Sequence, residues 1–102
     1  MYAIARINSC DETRLAAADE SLTAFDKLHA AQPGFLGSVV VDLMNGRRLV
    51  VNLWQSEKQA TAGLSVLRPE VERVLVPLMT GPSQFVGAGP VISTDLIDSD
   101  HE

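Results

Sequence analysis

Residues 2–8, YAIARIN, alternate with a period of two. Tyr2, Ile4, Arg6 and Asn8 fall on one side and Ala3, Ala5 and Ile7 on the other, which predicts a short strand. Ser9-Cys10-Asp11-Glu12 then offers a capping box, in which the Ser9 hydroxyl would accept from the Glu12 backbone N–H. A helix is expected from there to about Ala31, with Leu15, Ala18, Leu22, Phe25 and Leu28 at helical spacing. Cys10 would then lie in its first turn. His29 would sit on the solvent side, near the negative end of the helix dipole. Pro33-Gly34 stops the helix.

The strongest pattern follows. FLGSVVVDLM and RRLVVNLWQ flank Asn45-Gly46, the dipeptide best suited to a two-residue hairpin turn. A tight turn sets Met44 opposite Arg47, Asp42 opposite Leu49, Val39 opposite Asn52 and Gly37 opposite Trp54. One face would carry Phe35, Gly37, Val39, Val41 and Leu43 with Val50, Asn52 and Trp54. The other would carry Leu36, Val40 and Met44 with Leu49, Val51 and Leu53. Both are mostly apolar, so each needs a cover.

Ser56 and Gln59 form a second capping box, for a helix to about Leu64. Pro69 suits the first turn of another helix, whose stripe is Val71, Val74, Leu75, Leu78 and Met79. Pro77 should kink it or convert its last turn. A last strand, about Ser83 to Leu96, is interrupted by Gly87-Ala88-Gly89-Pro90, which marks a bulge or an edge position.

The order β-α-β-β-α-β, with the second helix in two pieces, is the α+β, ferredoxin-like split β-α-β plan: one four-stranded antiparallel sheet with helices on one face. The apolar second face calls for another copy, so a homodimer joined through the sheet faces is expected.

Length and composition narrow the function. The 102 residues fit one domain, taken as residues 2–96 with an acidic tail at 97–102. The net charge is −5, but Asp95, Asp98, Asp100 and Glu102 stand in the last eight residues, and the body is close to neutral. With no basic face, nucleic acid is not an expected partner. No apolar run reaches the ~20 residues of a membrane span, so a soluble cytoplasmic protein is expected. The single Cys10 forms no internal disulfide, and no Cys/His cluster suggests a metal.

Candidate chemistry is sparse. Asn52, a carboxamide in an apolar strand, could orient a ligand carbonyl or stabilise an oxyanion, or bond a neighbouring loop instead. Trp54 could stack on a flat ligand or anchor the core. Asn8 could hold a ligand group or serve the strand-to-helix turn. Arg6, in a central strand, needs a partner: an acid such as Asp42 or Asp95, or an acidic ligand group. Cys10 has no neighbouring His or second Cys for redox work.

Gln32-Pro-Gly-Phe-Leu-Gly37, the strand ending Leu53-Trp54-Gln-Ser-Glu57 and the Ala-rich helix after it resemble the antibiotic biosynthesis monooxygenase (ABM) domains, over about residues 2–96. Gly37 would there leave room opposite the indole. The resemblance implies the dimeric α+β barrel fold and a pocket between sheet and helices. It also implies a cofactor-independent monooxygenase acting on a small aromatic or quinol-type substrate, with neither metal nor flavin. Asn8, Asn52 and Trp54 are then the candidate catalytic residues. Residues 57–79 contain no His or Trp, which argues against haem degradation. A non-catalytic dimer that binds hydrophobic ligands or serves as a scaffold is the alternative.

Overall fold

The computed structural model describes residues 1–95. Leu96 and the acidic tail at 97–102 lie outside the described residues. The strands are β1 (Tyr2–Ser9), β2 (Phe35–Asp42), β3 (Arg47–Trp54) and β4 (Gln84–Pro90). They make one antiparallel sheet in the order β2-β3-β1-β4. The helices are α1 (Glu12–Ala17), α2 (Asp19–Ala30) and α3 (Glu57–Glu70). This is the expected α+β, ferredoxin-like arrangement.

The expected first helix is two. Asp11, not Ser9, is the N-cap, accepting from the Arg14 N–H at 2.9 Å. Cys10 therefore precedes the helix and pairs with Met79 in an isolated bridge. Ala18, at φ −103° and ψ 22°, separates α1 from α2. Ser56 caps α3 as expected, with Gln59 as its partner. Pro69 does not begin a new helix; it lies in the last turn of α3, which passes into a π turn at Val71–Leu75. A lone π turn is a common local adjustment of a helix. Pro77 does convert the last turn, to a 3-10 helix at Val76–Leu78.

The hairpin register differs from expectation by one residue. Asn45 and Gly46 do sit at the tip with positive φ (58° and 79°), and the Arg47 N–H donates to the Met44 carbonyl at 3.1 Å. Met44, however, also takes a positive φ of 72°. The cause is the Asp42 carboxylate, which accepts from the Met44 N–H at 2.8 Å and bends the chain early. Asp42 thus faces Arg48, Val40 faces Val50, Val39 faces Val51, Ser38 faces Asn52, and Gly37 faces Leu53. A one-residue slip exchanges which β2 residues accompany β3 on each face. Ser38 and Val40 share the helix side with Val50 and Asn52, while Val39 and Val41 turn outward. The tip is pinned to the rest of the chain: the Cys10 N–H donates to the Gly46 carbonyl at 2.8 Å. A Cβ at Gly46 would stand 2.3 Å from the Cys10 carbonyl oxygen, so only glycine fits.

Between sheet and helices the core divides. Ile4, Trp54 and Ala60 pack with Tyr2, Phe35 and Leu64. Phe25, Leu67 and Val74 pack with Leu22, Leu28, Val71 and Leu75. Gly63 of α3 makes the room for the indole, since a Cβ there would come within 2.4 Å of Trp54. Gly37, expected in that role, has nothing near the place of its Cβ. β4 is an edge strand, shorter than expected, with a register shift opposite Ala5 and Arg6.

Candidate functional site

A cavity of about 730 Å³ opens between the sheet and the helices, where the two core clusters part. It falls in the range usual for small-molecule sites. β1 contributes Ile4, Arg6 and Asn8, the side of the strand that its alternation assigned. β3 supplies Arg48, Val50 and Asn52, and β2 supplies Ser38 and Val40 across the observed register. The helical wall is mainly Leu22, Phe25, Leu64, Leu67, Val71 and Leu75.

The two asparagines are held in the same way. The Ser83 hydroxyl donates to Asn8 Oδ1 at 2.5 Å, and the Ser38 hydroxyl donates to Asn52 Oδ1 at 2.6 Å. Each serine orients its carboxamide through the oxygen and leaves the NH₂ group unbonded among the described contacts, as a donor for a ligand. They cannot act on one atom. Asn8 is opposite Arg48, and Asn52 lies four residues further along β3, about 13 Å at the usual strand rise.

Trp54 is 0% exposed and is not a wall residue of the cavity. Its indole stands behind the wall, in edge-on contact with Phe35 at 5.1 Å between centroids. Arg6 lines the cavity without forming an ion pair among the described residues. Its guanidinium lies over Phe85 at 5.3 Å instead of meeting Asp42 or Asp95. Cys10 also lines the cavity; burial raises its thiol pKa, against a smaller lowering by Arg48. A thiol so placed is a poor thiolate at neutral pH.

His29 is the residue that sequence reasoning misplaced. It faces inward from the last turn of α2, lines the cavity and stacks on Phe35 at 4.3 Å. Phe25 and Trp54 complete the aromatic surround, at 5.8 and 5.9 Å. Burial lowers its pKa below the ordinary histidine value, and the nearby Asp26 carboxylate only partly opposes that. Nε2 is buried without a hydrogen-bond partner among the described residues. His29 follows Phe25 by four residues and Leu22 by seven, so it lies on their helical stripe. That spacing was the available signal.

Among the described residues no three His, Cys, Asp or Glu side chains gather as a metal site. No described helix is long and apolar enough to cross a membrane.

No family model matches the chain, and no curated protein matches it in sequence. Solved structures do match in shape. SnoaB, a cofactor-independent oxygenase of Streptomyces nogalater solved as an Asn-to-Ala variant, superposes with a TM-score of 0.70 at 14% identity, over 91% of this chain and 94% of SnoaB. A Nitrosomonas europaea protein provisionally assigned as an antibiotic biosynthesis monooxygenase gives 0.72 at 14% identity, over 91% of this chain and all of its own. The fold is that of the ABM proteins. A Caulobacter crescentus protein of the same provisional assignment gives 0.72 at 13%, over 90% of each chain. At such low identity the ABM likeness establishes the fold, and the chemistry rests on the cavity.

Proposed function

We propose that this chain is a small oxygenase that needs no metal or flavin and acts on an electron-rich aromatic or quinol-type substrate in the cavity between sheet and helices. The observation that carries the reading is an open, mostly apolar cavity in an ABM fold with two oriented carboxamides in its wall. SnoaB, named a cofactor-independent oxygenase, has this fold. Deprotonation makes phenols and anthrones electron-rich enough to reduce O₂. An anthrone plus O₂ gives an anthraquinone plus water, so the protein has only to bind, to take a proton and to stabilise the resulting oxyanion. Asn52 supplies a donor for the oxyanion, and Asn8, at the other end of the cavity, a donor for binding. On this reading His29, whose ring lines the cavity and whose pKa burial lowers, takes the proton at Nδ1, since Nε2 is buried. Trp54 supports the ring stack from behind.

Oxygen uptake by the purified protein with a panel of anthrones, naphthols and hydroquinones tests this directly. Uptake with quinone formation is expected; a panel with no uptake above buffer would sink the proposal. Because His29 is held below its ordinary pKa, the rate should stay level from neutral pH down past about 6.5. It should fall only on further acidification, as imidazolium forms. His29→Gln should remove that acid limb and slow turnover about 10²-fold or more. An unchanged pH profile in the variant would exclude His29 as the base.

We also propose that a second copy covers the outer sheet face and that the protein works in the cytoplasm, where Cys10 stays reduced. Val39 and Val41, at 40% and 41% exposure, lie on that face with the half-buried Ile7, Leu49 and Val51. Sedimentation should give a dimer, and Val41→Arg should give a folded monomer. A monomeric wild type would refute the pairing.

A further inference from the structure

The cavity carries a positive excess in a body that is close to neutral: three arginines and one aspartate, Asp26, line it. Arg48 has an acid opposite it in Asp42, but Asp42 Oδ1 is taken by the Met44 N–H, and no ion pair joins them. Arg6 rests on Phe85. Both therefore keep guanidinium groups free of carboxylate partners among the described residues.

Their positions converge. Arg6 pairs with Val50 on β3, and Arg48 is two residues beyond it on the same face. That diagonal brings their backbones within about 7–8 Å, close enough for both side chains to reach one group. Asn8 lies directly across from Arg48 and adds its amide donor. The opposite end of the cavity, around His29 and Phe35, is aromatic. One end is cationic and donor-rich; the other is flat and apolar.

We infer that the substrate is an acidic aromatic, whose carboxylate or comparable anionic group is held by Arg6, Arg48 and Asn8 while its ring system lies against His29 and Phe35. The inference rests on the oxygenase reading for the ring chemistry alone. The anion site follows from charge and register. Guanidinium groups suit it because their planar forks match the two oxygens of a carboxylate.

The test is binding without turnover. Anthracene-2-carboxylate and anthracene-2-carboxamide have nearly the same shape and differ in charge. Isothermal titration of the purified protein should show the carboxylate binding about ten-fold more tightly, a preference that shrinks as salt is raised. Arg6→Gln with Arg48→Gln should reduce the ratio to near one. Both side chains are exposed, so the fold should survive, and Arg48→Gln alone provides a second variant should loss of the Phe85 contact disturb β4. Equal binding of the two ligands, binding of neither, or a preference untouched in both variants would overturn the inference. A carboxylate preference without oxygen uptake would defeat the oxygenase reading and leave the anion site standing. Uptake with no preference would do the reverse.

Discussion

Trp54→Ala should lower the free energy of unfolding by about 3–5 kcal/mol, the range for deleting a buried indole and leaving a cavity. Trp54 is the largest fully buried side chain, and it joins Ile4 of β1, Phe35 of β2 and Ala60 of α3 in one cluster. A domain of this size has roughly 5–15 kcal/mol in all, so the variant should be close to unfolding. The more pointed result concerns its neighbour. Gly63→Ala should cost about 1–3 kcal/mol, because the added methyl would collide with the indole at 2.4 Å. In the Trp54→Ala background the collision is gone. The same change should then be neutral or stabilising, since alanine is worth up to about 1 kcal/mol over glycine inside a helix. Denaturant titration of the two single variants and the double variant reads the sign reversal as a coupling energy. Additive effects would show that Gly63 is not shaped to the indole.

That pairing also shows where sequence reading reaches its limit. Ser56, Pro77 and the Asn45-Gly46 tip act through their own backbone chemistry, and local chemistry is visible in a string of residues. So is the inward face of β1, because a strand's alternation needs no partner. The glycine under Trp54 was sought at Gly37, across a strand register that assumed a two-residue turn. One hydrogen bond from Met44 to Asp42 lengthened the turn and moved every pairing by one. A similar local bond moved the first cap from Ser9 to Asp11, and with it Cys10 out of the helix. Pro69 looked like a helix start because proline is tolerated there. It is also tolerated where a helix is about to change pitch, and only packing decides between the two.

The candidate site was legible in part for the same reason. Asn8 and Asn52 stand out as polar groups in apolar strands, and both reach the cavity. The serines that orient them do not stand out, since Ser83 is 75 residues from Asn8 and Ser38 is 14 from Asn52. Read from sequence, His29 falls on the solvent side of the first helix; the structure turns it inward, on the stripe shared by Leu22 and Phe25. Burial there lowers the pKa of this imidazole and so keeps it unprotonated, which its place in the sequence alone does not show.

Asn52→Leu should lower kcat by about 10²–10³, the loss typical of removing one donor from a developing oxyanion, with a far smaller effect on KM. The expectation follows from where the amide stands. Asn52 is two residues from Trp54 on the same strand face, on the side of the cavity where His29 and Phe35 stack. On the proposed oxygenase reading, negative charge develops there as the ring hydroxyl loses its proton. Asn8 is about 13 Å away, beside Arg48, so Asn8→Ala should raise KM and leave kcat nearly unchanged. Ser38→Ala separates contact from positioning. It leaves the Asn52 amide in place but removes the hydroxyl that fixes it, and should cost a fraction of the Asn52→Leu loss, all of it in kcat. Ser38→Thr, which restores a hydroxyl, should recover much of the rate. Steady-state kinetics on oxygen uptake measure all four variants. If Asn8→Ala and Asn52→Leu lowered kcat equally, the two ends of the cavity would not have separate tasks, and the assignment of Asn52 to the oxyanion would fail.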